Sequence, residues 1–112
     1  MEKSYYSLRV TTKESNYNLV SAILNVRPLD LSKGWIYEVE KLDTGYFDFI
    51  NIFLDILEDN YDRLYKIGIS RDSISIWWIY GYDRQCNFEF FPKDLKRLGD
   101  NEINLCVSCF DA

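Results

Sequence analysis

Apolar residues in this chain switch repeatedly between a repeat of two and a repeat of three to four, and each switch marks a change from strand to helix. From Tyr5 to Thr12, Tyr6, Leu8 and Val10 share one face and Tyr5, Ser7 and Arg9 the other, the pattern of a half-buried strand. Leu19, Ala22, Ile23 and Val26 then fall at helical spacing. A short helix is predicted from Tyr17 to about Leu24, capped by Ser15 or Asn16 and ended by Arg27-Pro28. Past a loop from Leu29 to Gly34, Trp35, Tyr37 and Val39 alternate with Ile36, Glu38 and Glu40 in a second strand. Asp43-Thr44-Gly45 reads as a turn, with Thr44 a candidate cap. The longest helix is predicted from about Tyr46 to Glu58, with Phe49, Ile50, Phe53, Leu54 and Leu57 as its buried stripe.

The second half yields to the same reading. Leu64 to Ser70 and Ser73 to Tyr80 are apolar runs parted only by Arg71-Asp72, which predicts a tight hairpin. Gly81 to Asn87 is a loop and Phe88 to Phe91 a short extended piece. Pro92 opens a small helix that ends at Leu98, with Gly99 just past it. Ile103, Leu105, Val107 and Cys109 alternate with Asn104, Cys106, Ser108 and Phe110 in a last strand. The expected order is β-α-β-α-β-β-α-β, with the Phe88 piece as an optional extra strand. That is an α+β fold, a single domain over residues 1–112. It would hold a mixed or mostly antiparallel sheet of about five to six strands and two to three helices.

Composition narrows the function classes. The 112 residues suffice for one domain, and the 17% of aromatic residues build a core that needs no disulfide or metal. Histidine is absent, which removes Ser-His, Cys-His and His-metal chemistry together. A net charge of −5 argues against nucleic acid as partner, because phosphate binding needs clustered Lys and Arg. Three cysteines, an odd count, fit a reducing compartment. Met1-Glu2-Lys3-Ser4-Tyr5 lacks the form of a signal peptide. No apolar run reaches the roughly 18 residues that cross a bilayer. A soluble cytoplasmic chain with no membrane partner and no cofactor is expected.

Short phrases at both ends of the chain carry a family likeness. The opening strand, a helix ending Ile23-Leu24-Asn25-Val26-Arg27-Pro28, and a polar loop ending Lys33-Gly34 before an aromatic strand resemble the bacterial family called domain of unknown function 4279. So does the closing run Asn87-Phe88-Glu89-Phe90-Phe91-Pro92-Lys93-Asp94-Leu95-Lys96-Arg97-Leu98-Gly99, followed by a strand with Leu105 and Ser108. The family's first helix usually ends in a leucine-glycine phrase, and here Asn25 stands in place of the glycine. The resemblance implies a small α+β fold of bacterial origin and no established activity, so it transfers no catalytic residue.

Few residues remain as candidates for chemistry. Cys106-Val107-Ser108-Cys109 has C-x-x-C spacing, but in an alternating strand its two thiols point to opposite faces and can neither clamp a metal nor close a disulfide. Cys86 is a lone thiol in a loop. The glycines are scattered singly, so no phosphate-cradling loop is present. Lys93, Lys96 and Arg97 form a small basic spot on the third helix. Paired carboxylates are the remaining acid-base option. Glu38 and Glu40 share a strand face, and Asp55, Glu58, Asp59 and Asp62 crowd the end of the second helix. An enzyme built on them needs one carboxyl whose pKa is raised by burial, and both groups fall on polar faces. Trp77 is the remaining lead. A sheet covered on both faces makes it core, whereas a sheet covered on one face exposes it together with Ile79 and Ile36.

Two function classes follow. The first is a non-catalytic protein-binding module, an immunity protein that neutralises a basic toxin domain such as a nuclease. Acidic side chains would steer the partner and Trp77 would anchor it. Its candidate contacts are Glu38, Glu40, Asp55, Glu58, Asp59, Asp62 and Trp77. The second is a small-ligand or regulatory domain, homodimeric through its open sheet face. A carboxylate-only enzyme ranks third, and no catalytic or metal-ligating residue is assigned.

Overall fold

The alternating stretches form β1 (Lys3–Val10), β2 (Trp35–Leu42), β3 (Ile74–Tyr82) and β4 (Asn104–Asp111) in a computed structural model that describes residues 3–42, 47–82 and 87–111. The strand order is β2-β1-β3-β4, with β1 antiparallel to both β2 and β3 and β4 parallel to β3. A parallel pair cannot close through a hairpin, and α4 (Pro92–Asn101) makes the crossover between β3 and β4. The other helices are α1 (Tyr17–Leu24), α2 (Phe49–Leu57) and α3 (Tyr61–Lys66). The chain is thus an α+β fold that shows, among the described residues, a four-stranded mixed sheet and four helices, where five to six strands and two to three helices were expected.

The register sorts side chains onto two faces. Tyr6, Leu8 and Val10 of β1 align with Val39, Tyr37 and Trp35 of β2 and with Trp78, Ile76 and Ile74 of β3. Onto this face pack Val20 and Leu24 of α1, the whole stripe Phe49, Ile50, Phe53, Leu54 and Leu57 of α2, Leu64 of α3 and Leu98 of α4, all buried. Each such aliphatic or aromatic side chain, moved fully from water, contributes roughly 1.5–3 kcal/mol. A buried polar link inside this layer joins Trp35 to α1, the indole Nε1 donating to Ser21 Oγ at 3.0 Å. Among the described residues, no helix packs on the opposite face, which has Arg9, Ser7 and Tyr5 at its centre.

The stretch from Leu64 to Ser70 is helix and turn rather than strand. Asn60 and Tyr61 start α3, whose end is closed by two backbone bonds: Gly68 N–H donates to Tyr65 C=O at 2.9 Å and Ile69 N–H to Leu64 C=O at 3.0 Å. Gly68 is left-handed there (φ 89°), and Leu64 and Ile69, on either side of the turn, are both buried. This is the Schellman end, in which an apolar residue past the turn folds back onto the helix. It turns an apparently alternating Leu-x-x-Ile-Gly-Ile into a helix end, and no hairpin forms at Arg71-Asp72, which lies in a short 3-10 turn before β3. No strand forms from Phe88 to Phe91.

The same device corrects the end of α4. The helix runs through Gly99, and Glu102 takes the left-handed conformation (φ 58°), with Ile103 N–H donating to Leu98 C=O at 3.2 Å. In α1 the bounds are as expected, and Asn25 is left-handed (φ 56°), a conformation that glycine and asparagine enter at least cost. Asn16 precedes that helix without a side-chain cap bond. Its amide instead donates to Thr12 Oγ1 and to Ile67 C=O, tying α1 to α3. The Asp43-Thr44-Gly45 turn, the Tyr46 helix start and Cys86 lie outside the described residues.

Candidate functional site

The helix-free face is built in rows across β2, β1, β3 and β4. One row reads Ile36, Arg9, Ser75, Asn104; the next Glu38, Ser7, Trp77, Cys106; the third Glu40, Tyr5, Ile79, Ser108. Trp77 is therefore half-buried on the uncovered face, beside Ile79 and in the same row as Glu38. Its indole is fixed from two directions. Nε1 donates to Ser75 Oγ at 2.9 Å, and the Arg9 guanidinium lies 4.3 Å from the ring centroid. Arg9 Nε in turn donates to Ser7 Oγ at 3.1 Å, and Ser7 is fully buried beneath the pair. A cation–π contact of this kind contributes about 0.5–1 kcal/mol at an exposed site. Its larger effect is to hold an indole in one orientation at the surface.

Charge on this face is mixed. Lys3 Nζ lies 3.5 Å from a Glu40 carboxylate oxygen, and Tyr5 and then Glu40 hold the Lys3 ammonium above its ordinary pKa. Arg9, Glu38, Asp30 and Lys33 border a shallow cleft of about 490 Å³ between the sheet and the loop that follows α1. Asp30 Oδ1 accepts from Ser32 N–H at 2.8 Å, and that hydroxyl and amide lower the Asp30 carboxyl below its ordinary value. On β4 the two described thiols fall on opposite faces, Cys106 on the free one and Cys109 on the other, as alternation dictates.

The second acidic group lies elsewhere. Asp55 of α2 and Glu58, the residue just past its end, lie on the helical side of the sheet, and Arg97 of α4 bridges them. Arg97 Nη2 donates to Asp55 Oδ1 and to Glu58 Oε1, each at 2.7 Å, Nε donates to Glu58 Oε2 at 3.2 Å, and Nη1 donates to Asn51 Oδ1 at 2.7 Å. The network continues through Asn101, which donates to Glu58 Oε2 at 2.9 Å and accepts from Tyr61 OH at 2.7 Å. Hydrogen bonds from Arg97 and Asn101 lower the Glu58 carboxyl, so it is ionised at neutral pH and unsuited to act as a general acid. Burial pushes the Tyr61 phenol up to about 12, with the Arg71 guanidinium 3.5 Å over its ring acting the other way. Asp59, left-handed at φ 71°, and Asp62, in the first turn of α3, are exposed at the α2–α3 junction.

The seven residues singled out from sequence therefore divide in two. Glu38, Glu40 and Trp77 share one face; Asp55, Glu58, Asp59 and Asp62 lie on the other side of the sheet. No single flat partner reaches both. Sequence reasoning missed Arg9, which period two already placed beside Ser7, and Arg97, whose partners lie on a different helix and carry no sequence signal.

The chain matches no family model, no curated protein and no solved structure. Among the described residues, no helix is long and apolar enough to cross a membrane, and no three metal-ligating side chains come together.

Proposed function

We propose that this chain is a non-catalytic protein-binding module, an immunity protein of the bacterial cytoplasm that binds and neutralises a basic toxin domain through its helix-free sheet face. The observation that carries the reading is Trp77, an indole held at the surface by Arg9 and Ser75 within a row that also bears Glu38. Tryptophan is the residue most enriched at binding hot spots, and a ring already fixed loses little freedom on docking. Glu38 and Glu40 supply local acidic contacts, balanced by Arg9 and Lys3. Long-range attraction for a basic partner comes from the net charge of −5, to which Asp59 and Asp62 contribute from the far side. Asp55 and Glu58, bound to Arg97, serve the fold. The likeness to domain of unknown function 4279 rests on the short phrases quoted above and implies a bacterial origin alone, with no activity.

The test is titration calorimetry between the purified chain and the product of the gene immediately upstream. Binding weakened at least about tenfold by Trp77→Ala, and by Glu38→Lys with Glu40→Lys, is the expected result. Full affinity in those variants overturns the assignment of this face. Sedimentation of the chain alone supplies the competing outcome: a stable dimer that buries Trp77 favours a homodimeric regulatory domain.

A further inference from the structure

On the helical side of the sheet, beside β1, β3 and the start of α2, the aromatic residues Tyr6, Phe47, Phe49, Trp78, Phe90 and Phe91 line a cavity of about 80 Å³. By this measure a single water needs roughly 10–15 Å³. The space therefore admits several heavy atoms, yet it is far smaller than the roughly 300 Å³ of a site that encloses a whole metabolite. It suits the end of a molecule.

Ile50 and two carboxylates, Glu89 and Asp94, complete the lining. Glu89 is exposed at the rim. Asp94, only 3% exposed, sits in the first turn of α4, where its Oδ1 accepts from Asn51 Nδ2 at 2.9 Å. Among the described residues the lining contains no Lys or Arg. Ring faces are negative and attract cations, and one of these walls already does so: the Lys41 ammonium lies 4.8 Å from the Phe47 centroid, outside the cavity. A primary ammonium carries three N–H donors, and of the two carboxylates here Asp94 already accepts from Asn51, which leaves donors turned toward rings that offer no lone pair. A fully methylated ammonium demands none and presents an apolar, positively charged surface to the aromatic walls.

We propose that this cavity binds the trimethylammonium end of a small, choline-like cation, with the aromatic walls enclosing the methyl groups and Glu89 and Asp94 supplying the opposing charge. The site lies on the opposite side of the sheet from Trp77 and stands independently of the toxin-binding reading. Titration calorimetry of the full chain with choline, and with dimethylbutanol, its neutral tert-butyl isostere, tests it. Choline should bind at least about tenfold more tightly than the isostere, because only the charge differs. Glu89→Gln, an exposed change that leaves the fold intact, should weaken choline several-fold while leaving the isostere unaffected. Trp78→Phe should retain binding that Trp78→Leu loses. Equal affinity for choline and isostere, unchanged choline affinity in Glu89→Gln, or no binding of choline at tens of millimolar overturns the proposal.

Discussion

Trp77 and Trp78 are neighbours in the chain and opposites in the fold. Both indole N–H groups find a serine, Ser75 Oγ at 2.9 Å for Trp77 and Ser4 Oγ at 3.1 Å for Trp78. What differs is what meets the ring. Trp78 stands among other aromatics, with centroids of Tyr6, Phe49 and Phe88 at 5.7, 5.7 and 4.6 Å, whereas Trp77 meets the Arg9 guanidinium and then solvent. Ring-to-ring packing contributes cohesion that is lost only on unfolding. A ring braced by one cation and one hydroxyl contributes little to stability, yet presents its area already ordered. Satisfaction of the polar atom thus says nothing about a tryptophan's role, and its cover says a great deal.

That contrast is open to direct attack. Trp78→Ala should lower unfolding free energy by about 3 kcal/mol, read as a fall in urea midpoint at unchanged slope, while Trp77→Ala costs under about 1 kcal/mol. Equal losses would erase the distinction between the faces. Arg97→Ala comes next, at about 1–2 kcal/mol, because it leaves Asp55 and Glu58 at the end of α2 without their shared cation. Its effect belongs to the helical side and should leave binding through the free face unaltered. Acid should act through the same network. The Glu58 carboxyl titrates below its ordinary 4.5, so its contribution is complete above that value and disappears as pH falls through the lower folded pKa. The thermal midpoint of the wild type should therefore fall more steeply between about pH 5 and pH 3 than that of Glu58→Gln. The smallest effect is expected for Arg9→Ala, about 0.5 kcal/mol, accompanied by a loss of Trp77 fluorescence anisotropy as the indole gains freedom.

Sequence periodicity made β1, β2, β3, β4, α1 and the α2 stripe legible, because each depends on a local repeat that burial enforces. It misled where an apolar residue served a helix end. Three helices close with a left-handed residue followed by an apolar one, Asn25-Val26, Gly68-Ile69 and Glu102-Ile103, and only one of the three is glycine. In Leu64-Tyr65-Lys66-Ile67-Gly68-Ile69 the signal was present, since glycine before an apolar residue marks such an end. At Glu102 it was absent, and Gly99 drew the boundary short by one turn. The candidate site was half legible. Alternation placed Glu38, Glu40 and Trp77 together, but the capture of Asp55 and Glu58 by Arg97 joins α2 to α4, a contact that no local pattern announces.

The strand order bears on how the chain is made. A ribosome releases β1 first, yet β1 ends up in the interior of the sheet with partners on both sides. Its pairing with β2 can form early, whereas its other edge waits for β3; the Ser4 and Trp78 side chains that bond across that junction are 74 residues apart. Through that interval the nascent chain holds a two-stranded ribbon with one open, apolar edge, the kind of template on which a second polypeptide can nucleate. The segments emerging meanwhile are α2 and α3. With five buried side chains, α2 is the element able to shelter that ribbon until β3 arrives. Mutations in its stripe should therefore show first as aggregation during synthesis, before any effect on the finished protein is measured.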